Sequence, residues 1–330
     1  MMQKEFYLNA YNPFSFNFVK AYVITMRPYL MFVSGITGIV GLAFTNELSN
    51  VSTILIISAS FLSYGFGQAL TDCFQIDTDS ISSPYRPLTK GIVSKNNFLA
   101  LSIVGLTFCI SVFVIHNPIN LLLGTAAGFG LATYTYFKRK FWSGPFYNAW
   151  IVAVLCFMAF LCGKSINNMN IESNFTLVVM CVFFGYANFV LSGYFKDIEA
   201  DRATGYNTLP VKYGRKVSAY VSDVFAFLMI FFGLLVFVNE NKTQKIIMVT
   251  NPAFFFLLAS LVLTIVGQIF LHRVKTDEEA HPAIALVVHS YVLQFSGLAL
   301  LRKPEWLVVF LVFYIGFNIV MKFRPAKNQI

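Results

Sequence analysis

The chain has 330 residues, 57% of them hydrophobic and only 12% charged, with 37 phenylalanines and a formal net charge of +9. So much apolar surface excludes a pair of water-soluble domains and suits a bundle immersed in lipid. The 24 Lys and Arg are dispersed along the chain rather than gathered in one patch, which argues against a nucleic-acid interface.

In chain order, residues 1–19 are aromatic and polar and read as a segment lying along the membrane interface. Ten apolar stretches follow, at 22–45, 51–70, 97–115, 118–137, 146–163, 174–195, 216–237, 251–271, 280–300 and 305–322. Runs of about 18 or more apolar residues are long enough to cross the hydrocarbon core as helices. One of the last three either spans or re-enters. The expected fold is therefore an all-α polytopic membrane bundle of nine to ten transmembrane helices, and residues 1–330 read as a single domain. No small-residue cleavage site follows the first stretch, so it reads as a retained helix rather than a signal peptide.

Charge sets the expected orientation. With ten spans, one side of the membrane receives all but five of the 24 Lys and Arg; the five are Lys164, Lys242, Lys245, Arg302 and Lys303. The positive-inside rule makes the richer side cytoplasmic. The five cysteines have no CxxC pairing, and the four histidines lack ligand spacing, so zinc and redox sites are not indicated. Asp223 is the one carboxylate well inside a span and reads equally as a functional charge or as a group facing water. His289 reads first as a helix-packing hydrogen-bonder.

Two stretches carry the chemistry. Residues 68–91 follow the second span and bring Asp72, Asp77 and Asp79, then Arg86 and Lys90. If the helix continues, Gln68, Asp72, Gln75 and Asp79 share one face. All are oxygen ligands of the kind that hard cations such as Mg²⁺ prefer. Residues 193–214 follow the sixth span and bring the i, i+4 pair Asp197 and Asp201, again trailed by basic residues. Two acidic helix ends, each with a basic loop, suit a diphosphate gripped through bridging metal ions. Both loops exceed ordinary connection lengths and are expected to fold as short helices, with Pro84, Pro87, Gly205 and Pro210 setting turns.

These motifs resemble those of the UbiA superfamily of intramembrane prenyltransferases. The second motif is present whole as Asp197, Asp201, Arg202, Gly205, Thr208, Leu209, Pro210 and Val211. The first is altered: aligned on Arg86-Pro87-Leu88, the family's Asn falls on Thr71 and its middle Asp on Gln75, while Asp72 and Asp79 match. Arg27-Pro28 and Tyr134-x-Tyr136-x-Lys138-Arg139 extend the resemblance over roughly residues 20–300.

The resemblance implies a Mg²⁺-dependent enzyme that transfers a prenyl group from a prenyl diphosphate to a lipophilic acceptor, with the motif loops forming a cytoplasmic cap. Asp72, Asp79, Asp197 and Asp201 are the expected catalytic metal ligands, with Gln75 as a neutral one and Asp77 off their face. Arg86, Lys138, Arg139 and Lys212 are the expected diphosphate contacts, Arg86 foremost because it can fork onto phosphate oxygens. Tyr134, Tyr136 and Tyr194 are candidates to face the prenyl cation. Gln75 makes the site less acidic than the usual pattern, so weaker Mg²⁺ binding is expected. An aromatic or quinone-type acceptor is expected first, with glycerol phosphate and carotenoid acceptors also compatible, and chain length and oligomeric state leave no mark in the motifs. Two alternatives stand beside this reading: a terpene cyclase of the same fold, and a membrane transporter.

Overall fold

The computed structural model describes residues 10–167, 170–244 and 251–324. Residues 1–9 of the expected interfacial segment, and Lys245 and Lys327 of the charge pattern, lie outside the described residues. Among the described residues the chain forms α1 (Phe16–Met26), α2 (Pro28–Ala43), α3 (Asn50–Asp72), α4 (Ile76–Ser82), α5 (Lys95–His116), α6 (Ile119–Lys140) and α7 (Gly144–Leu161). It continues with α8 (Ser173–Tyr194), α9 (Ile198–Ala203), α10 (Leu209–Gln244), α11 (Pro252–Arg273), α12 (His281–Arg302) and α13 (Leu307–Lys322).

The first apolar stretch is divided between α1 and α2, and each of the other nine coincides with one long helix. Among the described residues eight helices are long and apolar enough to cross a membrane, and the pair α1–α2, bent by 57°, makes up to nine. α6, the helix of stretch 118–137, is not among them, and its last turn carries Lys138, Arg139 and Lys140. The α1–α2 bend falls at Arg27, which takes a left-handed conformation with φ 53°. Proline at 28 disfavours the right-handed helical region for its predecessor and opens α2, where its missing N–H costs nothing.

Helices adjacent in sequence pack side by side from α2 round to α12, and α12 packs back on α2. The α2–α7 and α8–α12 contacts pinch this ring into two lobes. Small residues permit the closest approach: a Cβ on Gly41 of α2 would lie 2.3 Å from the Cys156 carbonyl of α7. α13 lies outside the ring against α2 and α12.

The two motif loops do fold as short helices, α4 and α9. They touch each other through the Thr78 and Thr204 hydroxyls, 2.9 Å apart. Gly205, at φ 75°, ends α9 as a left-handed cap, with Tyr206 N–H donating to the Asp201 carbonyl at 2.8 Å. Pro210, expected to set a turn, instead lies in the first turn of α10, where no N–H is needed.

Candidate active site

A cavity lies in the first lobe, among α2, α3, α5, α6, α7 and α8. Its mouth is polar and lies under α4 and α9. Asp72, Gln75, Asp79, Arg86, Lys138, Lys196 and Asp197 line it there, and below them the walls are apolar.

The helix expected through residues 68–79 is broken. α3 ends at Asp72, and residues 73–75 turn before α4 begins. The Gln75 N–H still donates to the Asp72 carbonyl at 3.3 Å, and Asp79 N–H to the Gln75 carbonyl at 2.9 Å, so the winding is nearly kept. Gln68, Asp72, Gln75 and Asp79 therefore all face the cavity despite the break. In the second motif, Asp197 precedes α9 and lines the mouth, while Asp201 one turn later is fully buried behind it.

Asp72, Asp79 and Asp201 each pair with a cation. Arg27 Nη2 donates to both oxygens of Asp72, at 3.0 and 2.9 Å, and Gln68 adds a bond at 2.6 Å. Arg86 pairs with Asp79 and approaches Asp72 at 3.9 Å. Lys138 donates to Asp201 at 3.2 Å and to the Gln75 side-chain oxygen at 3.4 Å. The electrostatics separate the aspartates. Burial pushes the Asp79 carboxyl up to about 6; Arg86 opposes this, and the negative charges of Asp72 and Asp197 add to it. Burial likewise lifts Asp201 to about 6 against the pull of Lys138. Asp197 is lowered instead: burial works against its charge, but Lys196, Lys138 and Arg86 outweigh it. Burial brings the Lys196 ammonium down to about 8.

Asp72, Asp79 and Asp197 are thus close enough to feel one another, and with Gln75 they offer oxygen donors only. That chemistry fits a hard divalent cation. The four expected aspartates nonetheless do not form one cage: among the described residues no three His, Cys, Asp or Glu side chains stand at metal-ligand spacing.

Four expected residues fall outside the cavity: Asp201, an expected metal ligand, is buried behind Asp197 against Lys138, and three others lie elsewhere. Lys212 is exposed, with its ammonium over the Tyr213 ring at 5.1 Å. Tyr136 is 60% exposed on the outer face of α6. Arg139 links the two motif loops instead, binding Asp77 at 2.6 Å and the Tyr206 hydroxyl at 3.1 Å. Tyr134 and Tyr194 do line the cavity, joined through their hydroxyls at 2.8 Å. Lys138 Nζ sits 5.0 Å over the Tyr194 ring, so that face already meets a cation. Arg27 and Lys196 are site residues that the motif reading did not assign, although Arg27-Pro28 and the Lys before Asp197 were in view. Asp223 pairs with His272 at 2.7 Å, away from the cavity lining. His289 bonds the Tyr314 hydroxyl at 2.9 Å, a packing contact between α12 and α13.

The model of the UbiA prenyltransferase family matches residues 31–292. Among curated proteins, the digeranylgeranylglyceryl phosphate synthase of Thermococcus sibiricus is 28% identical over 222 residues, covering 66% of this chain and 77% of that protein. The synthase of the same name from Methanococcoides burtonii is 26% identical over 262 residues, covering 76% and 91%. Among solved structures, an apo UbiA homologue from Aeropyrum pernix K1 superposes with a TM-score of 0.65 at 18% identity, over 81% of this chain and 95% of that one. A UbiA homologue from Archaeoglobus fulgidus bound to GPP and Mg²⁺ gives 0.61 at 16% identity, over 84% and 99%. At these identities the solved structures show a shared fold.

Proposed function

Because this chain belongs to the UbiA prenyltransferase family, and is a prenyltransferase and a multi-pass membrane protein, we propose that it carries a prenyl group from a prenyl diphosphate to a lipophilic acceptor with Mg²⁺ as cofactor. One observation carries the reading. A mouth lined by Asp72, Asp79, Asp197, Arg86, Lys138 and Lys196 leads directly into an apolar cavity. The charged end suits a diphosphate and the apolar end suits its tail. Family membership sets the transporter alternative aside.

Asp72, Asp79 and Asp197, with the Gln75 amide oxygen, are the residues that would hold Mg²⁺, and Asp201 supports them through Lys138. The Archaeoglobus fulgidus homologue bound to GPP and Mg²⁺ supports this pairing of ligands. When bound, Mg²⁺ supplies positive charge to the leaving diphosphate. Arg86, Lys138 and Lys196 bind and orient that group at the mouth, and Arg27 adds to the positive field there. Cations fixed in a water-poor site stabilise developing negative charge most effectively. The C1–O bond breaks with its electron pair on the diphosphate, and the Tyr134 ring is the one left to face the allylic cation, since Lys138 lies over Tyr194. The acceptor forms the new bond to C1 and gives up a proton to the diphosphate.

For the acceptor we place a glyceryl phosphate lipid first, because the curated relatives are named for such a product. A second pocket shares Lys196 and Asp197 with the mouth and adds Arg215 and Lys275 beside Glu199, Asp277 and Glu278, which offers a mixed-charge surface for a polar head group beside the reacting carbon. The charge pattern supports placing the cap, and hence the diphosphate, on the cytoplasmic side, and we read 1–330 as one domain. The test is mass spectrometry of products from purified protein given Mg²⁺, prenyl diphosphates and a lipid extract or single acceptors. A prenylated glyceryl phosphate is the expected product. A prenylated aromatic or quinone would move the acceptor assignment, and a cyclised hydrocarbon made without any acceptor would replace transfer by cyclisation.

A further inference from the structure

Asp277 lies outside both acidic motifs, in the segment between α11 and α12, yet its carboxylate reaches the second motif. We propose that Asp277 is a positioning residue: it caps α9 in place of Asp197, and so keeps the Asp197 carboxylate turned to the cavity mouth. This rests on Asp197 being a metal ligand, as proposed above. Asp197 occupies the N-cap position of α9, and its side chain makes no capping hydrogen bond. Aspartate is among the strongly preferred residues at this position, because its side chain folds back to accept from the N–H of the second or third helical residue. A carboxylate that does so is turned along its own helix and away from a ligand. Here the N–H of Glu199, the second residue of α9, donates instead to Asp277 Oδ2 at 2.9 Å, from 78 residues away. Asp197 lines the mouth and the adjoining second pocket.

The substitute cap is held from two sides. Arg215 of α10 donates to the other oxygen, Asp277 Oδ1, at 2.5 Å, which orients the carboxylate. Within the segment, Glu279 Oε2 accepts from the Lys275 and Thr276 N–H groups at 2.7 and 3.4 Å, so the stretch that carries Asp277 is folded onto itself. The Asp277 side chain is 14% exposed, which limits competition from water. An N–H in the first turn of a helix has no partner within that helix. Without Asp277, the Glu199 N–H is left to water or to Asp197, the carboxylate already at the N-cap. An ordinary cap shifts that balance about tenfold. Apparent metal affinity then falls with the fraction of Asp197 still facing the mouth.

The experiment reads metal binding directly. Mn²⁺, which takes the same oxygen ligands as Mg²⁺, is titrated into purified full-length protein with a prenyl thiolodiphosphate present. Unbound Mn²⁺ is followed by electron paramagnetic resonance, with Mg²⁺-dependent turnover and unfolding temperature measured alongside. Asp277→Ala is expected to weaken Mn²⁺ binding about tenfold, and to raise the Mg²⁺ needed for half-maximal turnover by the same factor. Asp277→Asn, whose amide oxygen can still accept from the Glu199 N–H, should stay within about threefold of the wild type. In the Asp197→Asn background, Asp277→Ala should weaken Mn²⁺ binding no further, because a residue acting through Asp197 has nothing left to act on. Asp277→Leu, of similar outline but with no acceptor, carries the same test if the Ala variant does not fold. The positioning role is overturned by wild-type Mn²⁺ affinity in either folded variant, or by failure of both to fold. It is equally overturned by an Asn variant as impaired as the Ala one, or by a full further loss in the Asp197→Asn background. In each of these cases Asp197→Asn alone still weakens binding. Wild-type Mn²⁺ affinity in Asp197→Asn instead overturns the metal-ligand reading, and the positioning role with it.

Discussion

The Lys138–Asp201 pair gives the sharpest energetic test of the site. Nζ and Oδ1 are 3.2 Å apart, and the side chains are 5% and 0% exposed. At an effective dielectric of 20 their attraction is about 5 kcal/mol. Yet the Asp201 carboxyl is pushed up to about 6, with burial as the largest cause, so the attraction does not offset desolvation. Removing one partner strands the other, which costs about 3–5 kcal/mol, whereas removing both is close to neutral. Asp201→Ala and Lys138→Met should each lose that much in chemical unfolding in detergent at pH 7. The double variant should return to within about 1 kcal/mol of the wild type. All three should lack turnover. Single variants as stable as the wild type, or a double variant carrying the sum of both losses, would refute the reasoning that each buried charge is tolerated only because the other is there.

Gln75→Asp should lower the Mg²⁺ concentration needed for half-maximal turnover several-fold, because it restores a charged oxygen at the mouth; a Mg²⁺ titration showing no gain counts against Gln75 as a ligand position. In Mg²⁺-free buffer the pH dependence of stability has a fixed sign. Asp79 and Asp201 sit at about 6 in the fold against an ordinary 3.8, so between these values the folded chain holds more protons than the unfolded one. Their contribution should fall as pH rises through that window, and unfolding curves at stepped pH will show whether Asp79→Asn flattens the slope. Lys212→Ala and Tyr136→Ala should change turnover by no more than about twofold, since both side chains are exposed away from the cavity. A steady-state assay showing a tenfold loss in either would return that residue to the site.

The bundle was legible because apolar length alone marks a spanning helix, and all ten stretches became helices. The site was legible as chemistry more than as geometry. Tyr134 and Lys138 are four apart and face inward together, while Tyr136, two from each, must face outward; the spacing carried that information. Lys212 follows basic residues in the motif, but the loop's return into α10 turns it to the surface, which only tertiary structure decides. The break at 73–75 left no sequence signal, since Cys73, Phe74 and Gln75 are not helix breakers. Arg27 was visible as part of a dipeptide, but its partner Asp72 is 45 residues away. The Lys138–Asp201 pair likewise joins residues 63 apart, and motif spacing does not encode it.

The central claim is that negative groups at the cavity mouth hold Mg²⁺ against a departing diphosphate. Asp197 is the plainest probe, since it lines the mouth and lies only partly buried. Pyrophosphate release from prenyl diphosphates should be measured for the wild type and Asp197→Asn, with and without Mg²⁺, at matched unfolding temperature. The account predicts Mg²⁺-dependent release by the wild type and a loss of at least a hundredfold in the variant. Release that is unchanged in Asp197→Asn, or that proceeds equally without Mg²⁺, would contradict it.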